Sequence, residues 1–313
     1  MSQTARLIGS AERNYQMPLF GGMRPGPRPW LREERDRLDG LKFERIRVRP
    51  LGVTIGAEIE GVDLGDLDDA TFAELHRAWL AYKVVFFRNQ KITAQQQMEF
   101  ACRFGELEAH PFLDASAEHE QVVRFEKGED LSGYENLWHS DVSWREAPAL
   151  GSVLRAVEVP SHGGDTLFSD MVAAYHNLED ELKERIDSLY AVHDFSYSFG
   201  RGLDPETLAE RQQQFPPVRH PIVRKHPETG AKILYVNSIF ASHIEGLESD
   251  ESAHLLDILC RQAMVPEYQC RFRWERDAVA FWDNRSTQHY ASSDYWPGRR
   301  VMERVAIIGD RPS

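Results

Sequence analysis

Five residues, Trp138-His139-Ser140-Asp141-Val142, place the tightest demand on how this chain folds. Read as a strand, positions i and i+2 point the same way. His139 and Asp141 would then leave one face together, an imidazole beside a carboxylate. Such a pair needs a third partner to hold a metal ion. The best candidate is His289, far down the chain in Trp282-Asp283-Asn284-Arg285-Ser286-Thr287-Gln288-His289. Two histidines and one carboxylate on one side of an ion leave its other positions open, the arrangement used for non-haem Fe(II) with O2. The fold must therefore bring an early segment against a late one.

Hydrophobic periodicity shows how. Residues 1–44, with Met17-Pro18-Leu19-Phe20-Gly21-Gly22 and Arg24-Pro25-Gly26-Pro27-Arg28-Pro29-Trp30, carry too many prolines and glycines for a regular element. They read as an irregular arm in which Phe20 and Trp30 are the packing anchors. From residue 45 to 313 the chain reads as one domain. Ile46–Ile59 alternates like strand, broken at Gly52 and Gly56. Asp68-Asp69 caps a helix that presents Phe72, Leu75 and Trp79 on one face. Val84–Phe87 is a buried strand, Ala94–Phe104 a helix and Gln121–Phe125 a short strand. Lys127–Leu137 is a polar loop leading into the His139 segment.

Further strands are expected at Gly151–Val159, Ala191–Tyr197, Val218–Lys225 and Lys232–Asn237, the last two joined by His226-Pro227-Glu228-Thr229-Gly230. Tyr268–Arg273, Ala278–Trp282 and Val301–Ile308 complete them. Helices are expected over Met171–Leu189 and Asp250–Met264. Many short strands with a few helices predict an α+β fold, a double-stranded β-helix or jelly roll flanked by helices. One end of such a barrel lets ligands from an early and a late strand meet.

The chain's 313 residues are enough for a sizeable core, and its 50 acidic against 37 basic residues give a formal charge of −13. That balance argues against nucleic acid and anionic membrane surfaces as partners. Three cysteines, Cys102, Cys260 and Cys270, form no disulfide framework, and no apolar run suits a signal peptide or a membrane span. A cytoplasmic enzyme is the expectation.

A His-x-acid triplet alone is weak. Two others, His226-Pro227-Glu228 and His243-Ile244-Glu245, are a hairpin turn and a strand exit without companions. His139 and Asp141 differ because Arg300 and Arg304 follow His289 in a strand-like stretch, sharing a face. Two inward guanidiniums need anions, and their planar forks suit carboxylate or sulfonate. A zinc protein on a similar β-core and a catalytically inert binding module are the rival readings. The arginine pair argues against the first and the complete triad against the second.

In Trp138–Val142, Gly163-Gly164-Asp165-Thr166-Leu167, His220-Pro221-Ile222-Val223-Arg224, Trp282–Tyr290 and Arg299–Arg304, the chain resembles the taurine dioxygenase family of Fe(II)/2-oxoglutarate-dependent oxygenases, over about residues 46–311. The resemblance implies Fe(II), with 2-oxoglutarate and O2 as cosubstrates. His139, Asp141 and His289 match the iron ligands. Arg300 and Thr166 match the pair that takes the distal carboxylate of 2-oxoglutarate. His110 and Arg304 match the substrate-anion clamp. Ser198, Phe199 and Phe240 fall where the substrate pocket is lined. Relatives form dimers or tetramers, so a homo-oligomer is expected.

Two positions depart from taurine-cleaving members. Leu113 stands where they carry a tyrosine, and Glu135 stands nearest the asparagine expected by the substrate amine. A different small anion is therefore expected: an alkyl sulfate, another sulfonate, or a carboxylate, amino-acid-like carboxylates included. The loop around Tyr134 is expected to select it.

Overall fold

The computed structural model describes residues 26–313 apart from Asp114, Ala117 and Tyr134. Phe20 and the first 25 residues of the expected arm thus lie outside the described residues, as does Tyr134. The described chain enters through helix α1 (Pro29–Asp39), which corrects the expectation of an irregular stretch to residue 44. Pro29 stands at the start of the helix, where a missing N–H is tolerated. Leu31 and Leu38 bury one face, and Trp30 stacks on His176 with ring centroids 4.7 Å apart.

Strands β1 (Arg47–Pro50) and β2 (Ala57–Glu60) pair antiparallel. Helix α2 (Asp69–Tyr82) begins where the Asp68 carboxylate accepts the Thr71 N–H, and leads into β3 (Val84–Phe87). Helix α3 (Ala94–Cys102) starts on a Thr93–Gln96 capping box. Then come β4 (Val122–Lys127), β5 (Ala149–Glu158) and β6 (Thr166–Asp170).

The long helix expected over Met171–Leu189 is instead two short ones, α4 (Met171–His176) and α5 (Asp180–Ile186). Asn177 turns its side-chain amide onto the Ala173 carbonyl at 2.7 Å, a local bond that competes with continued helix. Strand β7 (Tyr190–His193) stops short of Tyr197, because Asp194 caps a 3-10 turn over Phe195–Tyr197. Helix α6 (Pro205–Gln214), capped by Asp204, has no apolar face to announce it; none of its residues is buried. Strands β8 (Val218–Pro221), β9 (Val223–Lys225), β10 (Lys232–Leu234) and β11 (Ala241–Ile244) follow. Helix α7 (Ser249–Cys260) precedes β12 (Gln269–Phe272), β13 (Val279–Asp283), β14 (Thr287–Ala291) and β15 (Arg300–Ile308).

A seven-stranded sheet runs β1-β2-β3-β13-β5-β15-β4, and a three-stranded sheet runs β12-β6-β14. Alternation along the central strands shows what each face does. Val84 and Phe86 of β3, Ala280 and Trp282 of β13 and Met302 of β15 pack with Phe168 and Phe272 of the smaller sheet. Val85, Phe87, Val279 and Phe281 face the other way, onto Leu75 and Trp79 of α2 and Phe100 of α3. Both faces are apolar, which is why these strands read as continuous hydrophobic runs. Two facing sheets with helices on the outer side form the expected jelly roll. Smaller sheets β11-β7-β8 and β10-β9 complete it. No helix among the described residues is long and apolar enough to cross a membrane.

Candidate active site

The antiparallel pairing of β14 with β6 places His289 opposite Phe168. His139 pairs with His289 through both backbone bonds: the His139 N–H donates to the His289 carbonyl at 3.1 Å, and the reverse bond measures 2.8 Å. Ser140 extends the contact by donating to the Thr287 carbonyl at 2.8 Å. The expectation of a strand through Asp141 needs correction, since His139 makes a single bridge and Asp141 already lies in a turn. The turn, with Val142 at φ +46°, brings the carboxylate between the imidazoles.

Asp141 Oδ1 lies 3.8 Å from His139 Nε2 and 3.9 Å from His289 Nε2. The three residues' donor atoms all fall within 4.8 Å of one another. His139 Nδ1 contacts the Leu137 carbonyl at 2.8 Å. A carbonyl only accepts, so Nδ1 carries the proton and Nε2 is left with its lone pair toward the cluster. Asp141 Oδ2 accepts from Ser152 Oγ at 3.0 Å, and Oδ1 from Arg304 Nη1 at 2.8 Å. Burial pushes the Asp141 carboxyl up, but Arg304, His289 and His139 outweigh it and hold it well below the usual carboxylate range. Burial, reinforced by His139, pulls His289 down to about 3. A deprotonated carboxylate and a neutral imidazole are the forms a metal ion takes.

Arg300 is buried, and its Nε and Nη2 have no hydrogen-bond partner among the described residues. Its guanidinium lies 5.8 Å from the Tyr295 ring centroid. Gly164 makes the space: at φ +72° and with a hypothetical Cβ 3.2 Å from Arg300 Cδ, it has no room for a side chain. Thr166, two residues on, accepts from Trp274 Nε1 at 2.9 Å. Orphaned donors on a buried guanidinium are costly unless a carboxylate meets them. The residues present thus fit both Fe(II) and the distal carboxylate of 2-oxoglutarate.

His110 is half-buried, though its Nε2 is out of solvent. Its Nδ1 accepts the Phe112 N–H at 3.2 Å, so Nε2 carries the proton and donates to nothing described. Burial, then Arg304, pulls His110 down to about 3, so it is a neutral donor. Around it stand Phe199, with ring centroid 5.4 Å away, and Phe112, which stacks on Phe199 at 5.3 Å. Phe240 lies 6.3 Å beyond Phe199. Ser198 turns its hydroxyl to the Phe195 carbonyl, and Leu113 is half-buried beside Phe112. Glu135 sits 3.2 Å from Lys127 Nζ, in an ion pair at the loop's base.

Residues 47–306 match the model of the "Taurine catabolism dioxygenase TauD, TfdA family". The chain belongs to this family. It is 37% identical over 276 residues to an alpha-ketoglutarate-dependent sulfate ester dioxygenase of Pseudomonas putida, covering 85% of this chain and 91% of the relative. It is 36% identical over 278 residues to the (S)-phenoxypropionate/alpha-ketoglutarate-dioxygenase of Sphingobium herbicidovorans, covering 85% and 96%. Among solved structures, a taurine dioxygenase from Burkholderia xenovorans superposes with TM-score 0.74 at 37% identity, covering 86% of this chain and 93% of that one.

This member of the TauD, TfdA family is a dioxygenase that uses Fe(II), 2-oxoglutarate and O2. Sequence reasoning missed several residues that shape its site. Ser152 and Asn284 hold Asp141; Ser152 is a small polar residue in an apolar run and Asn284 one polar residue among the many of Asp283–Gln288, so neither stands out in the sequence. Among the described residues, neither of the two other His-acid triplets belongs to a cluster of three potential metal donors. His226 Nε2 bonds Asp283 Oδ2 at 2.8 Å, and Glu228 pairs with Arg285 at 2.8 Å. His243 is exposed.

Four histidines in this region and beside it stay neutral on folding. His193 lies well below its ordinary value, His220 is pulled to about 4, and His110 and His289 to about 3, in each case first by burial. Unfolded histidines bind a proton near pH 6.5. The unfolded chain therefore binds more protons below that pH, and folding stability falls as pH drops from about 6.5 toward 4. Urea midpoints of chelator-treated protein are expected to decline steadily between pH 7 and about pH 4.5. A flat midpoint across that window contradicts the neutral assignment.

Proposed function

We propose that this dioxygenase hydroxylates a carbon next to the anionic head group of a small organic acid: a sulfate ester, a sulfonate or a carboxylate. The observation that carries the reading is a pair of buried donors without a partner among the described residues, His110 Nε2 and Arg304 Nε, with Phe112 and Phe199 packed near the His110 ring and Phe240 beyond them. Charged and neutral donors together suit an oxyanion, and the phenylalanines suit an apolar chain or ring.

In this reading His139, Asp141 and His289 hold the iron, while Arg300 and Thr166 receive the far carboxylate of 2-oxoglutarate. The bound iron, 2-oxoglutarate and O2 supply the oxidising chemistry, with succinate and CO2 released. The chain's own part is geometric and electrostatic. Arg304 and His110 fix the head group, and the phenylalanines exclude water and set the reach of the substrate carbon. Where that carbon bears a sulfate or sulfonate, the hydroxylated product expels sulfate or sulfite and leaves an aldehyde. Leu113 and Glu135 speak for a substrate other than taurine, and the loop at Lys127–Leu137 for the element that selects it.

A succinate-release screen tests this. Alkyl sulfates, alkyl sulfonates, aryloxyalkanoates and amino acids are compared with neutral amides of the same carbon skeleton. At least one anion with an apolar tail is expected to raise succinate release about tenfold or more over the substrate-free rate, with taurine well below it. Equal stimulation by the neutral amides contradicts the anion clamp. A homo-oligomer of two or four subunits in the cytoplasm belongs to the same proposal, and light scattering counts the subunits.

A further inference from the structure

The triad comes from two segments far apart in the chain, and one side chain joins them. Asn284 lies in the turn between β13 and β14, ahead of His289. Its Oδ1 accepts the Asp141 N–H at 2.6 Å. Its Nδ2 donates to the Asp141 carbonyl at 2.9 Å and to the Ala149 carbonyl at 3.0 Å. Both protons and the oxygen of the amide are thus used, in full burial.

Asn284 is itself held firmly. Its N–H donates to the Leu150 carbonyl at 3.0 Å. On one side, the Asp283 carboxylate accepts from Arg285 Nε and Nη2 at 2.9 Å and from His226 at 2.8 Å. The Thr287 hydroxyl closes the turn on the Asp283 carbonyl at 2.8 Å.

The residue after Asp141 needs such a holder. Val142 has φ +46°, a left-handed conformation that a β-branched residue rarely adopts. Without that turn the backbone would continue extended, and the Asp141 carboxylate would lose its place between His139 and His289.

We propose that Asn284 is the positioning residue of the metal centre: by gripping both backbone groups of Asp141 it aims Oδ1 at the ion while Ser152 keeps Oδ2. This inference rests on the metal-centre reading of His139, Asp141 and His289. It assigns Asn284 no contact with ion, cosubstrate or substrate.

The experiment titrates Mn(II) into wild type, Asn284→Ala and the isosteric Asn284→Asp, reading free Mn(II) by EPR, with near-UV circular dichroism to check folding. Asn284→Asp keeps an acceptor for the Asp141 N–H but sets a carboxylate against two carbonyls. Both variants are expected to bind Mn(II) about 10–100-fold more weakly than wild type. At saturating Fe(II), their KM for 2-oxoglutarate is expected to stay within about twofold of wild type, a split that general loosening would not give. Should Asn284→Ala not fold, Asn284→Asp carries the same comparison. Wild-type Mn(II) affinity in a folded variant overturns the proposal, as does an equal loss of Mn(II) and 2-oxoglutarate binding. Wild type that binds no Mn(II) overturns the metal-centre reading itself, and this inference with it.

Discussion

Asp141→Ala is expected to bind no Fe(II) at micromolar concentrations and to release no measurable succinate. Asp141 supplies the only carboxylate of the three-residue cluster. Its loss leaves two imidazoles and removes the charge that offsets a divalent ion. A drop in turnover of at least about 1,000-fold follows if one of three ligands and the charge are lost together. The same change strands Arg304, whose Nη1 donates to Asp141 Oδ1 at 2.8 Å in a buried pair. Breaking a buried pair from one side costs about 3–5 kcal/mol. Asp141→Asn therefore serves as the companion variant, keeping shape while removing the charge. Activity is measured as succinate release and metal binding by Mn(II) titration. Ordinary 2-oxoglutarate decarboxylation by either variant would remove Asp141 from the site.

Arg300→Ala is expected to act on a different quantity. Nε and Nη2 of this buried guanidinium are without hydrogen-bond partners among the described residues. A carboxylate received by both gains two charge-assisted bonds, each worth about 1.5–3 kcal/mol. Their loss raises the 2-oxoglutarate requirement about 100-fold or more, with Mn(II) affinity unchanged. Arg300→Lys restores the charge without the fork and is expected to fall between. The measurement is the KM for 2-oxoglutarate at saturating Fe(II), and an unchanged KM refutes the assignment. Gly164 belongs to the same argument, because the arginine's stem occupies the volume that a Cβ would fill.

What was legible in the sequence follows from where the controlling forces are local. Val84–Phe87 declared itself because both faces of β3 are buried, so no polar residue interrupts it. Asp68 declared a helix start because a capping side chain acts within three residues. His289 could be matched to His139 because few side chains do their chemistry. The misreadings have equally local causes. Pro29 was taken as a breaker, although a proline costs nothing at the start of a helix. Met171–Leu189 keeps a helical pattern through Asn177, yet the helix stops there, with the Asn177 side-chain amide on the Ala173 carbonyl.

The turn at Asp141–Val142 was beyond reach for another reason. Reading the segment as a strand was the simplest way to put His139 and Asp141 on one face, and the contact that holds the bend is Asn284, far away in sequence. Ser152 was hidden in the same way, inside an otherwise apolar strand. Long-range hydrogen bonds to backbone leave no periodic trace in sequence, so the ligands of the centre were readable and their supports were not.

The most direct test of the account is an anaerobic absorption titration of wild-type protein with Fe(II) and 2-oxoglutarate. Chelation of 2-oxoglutarate by iron at this site is expected to give a weak visible charge-transfer band that saturates at one equivalent of each. The band is expected to be absent in Asp141→Ala and to need far more 2-oxoglutarate in Arg300→Ala. A wild-type protein that binds Fe(II) tightly and yet gives no band at saturating 2-oxoglutarate contradicts the account.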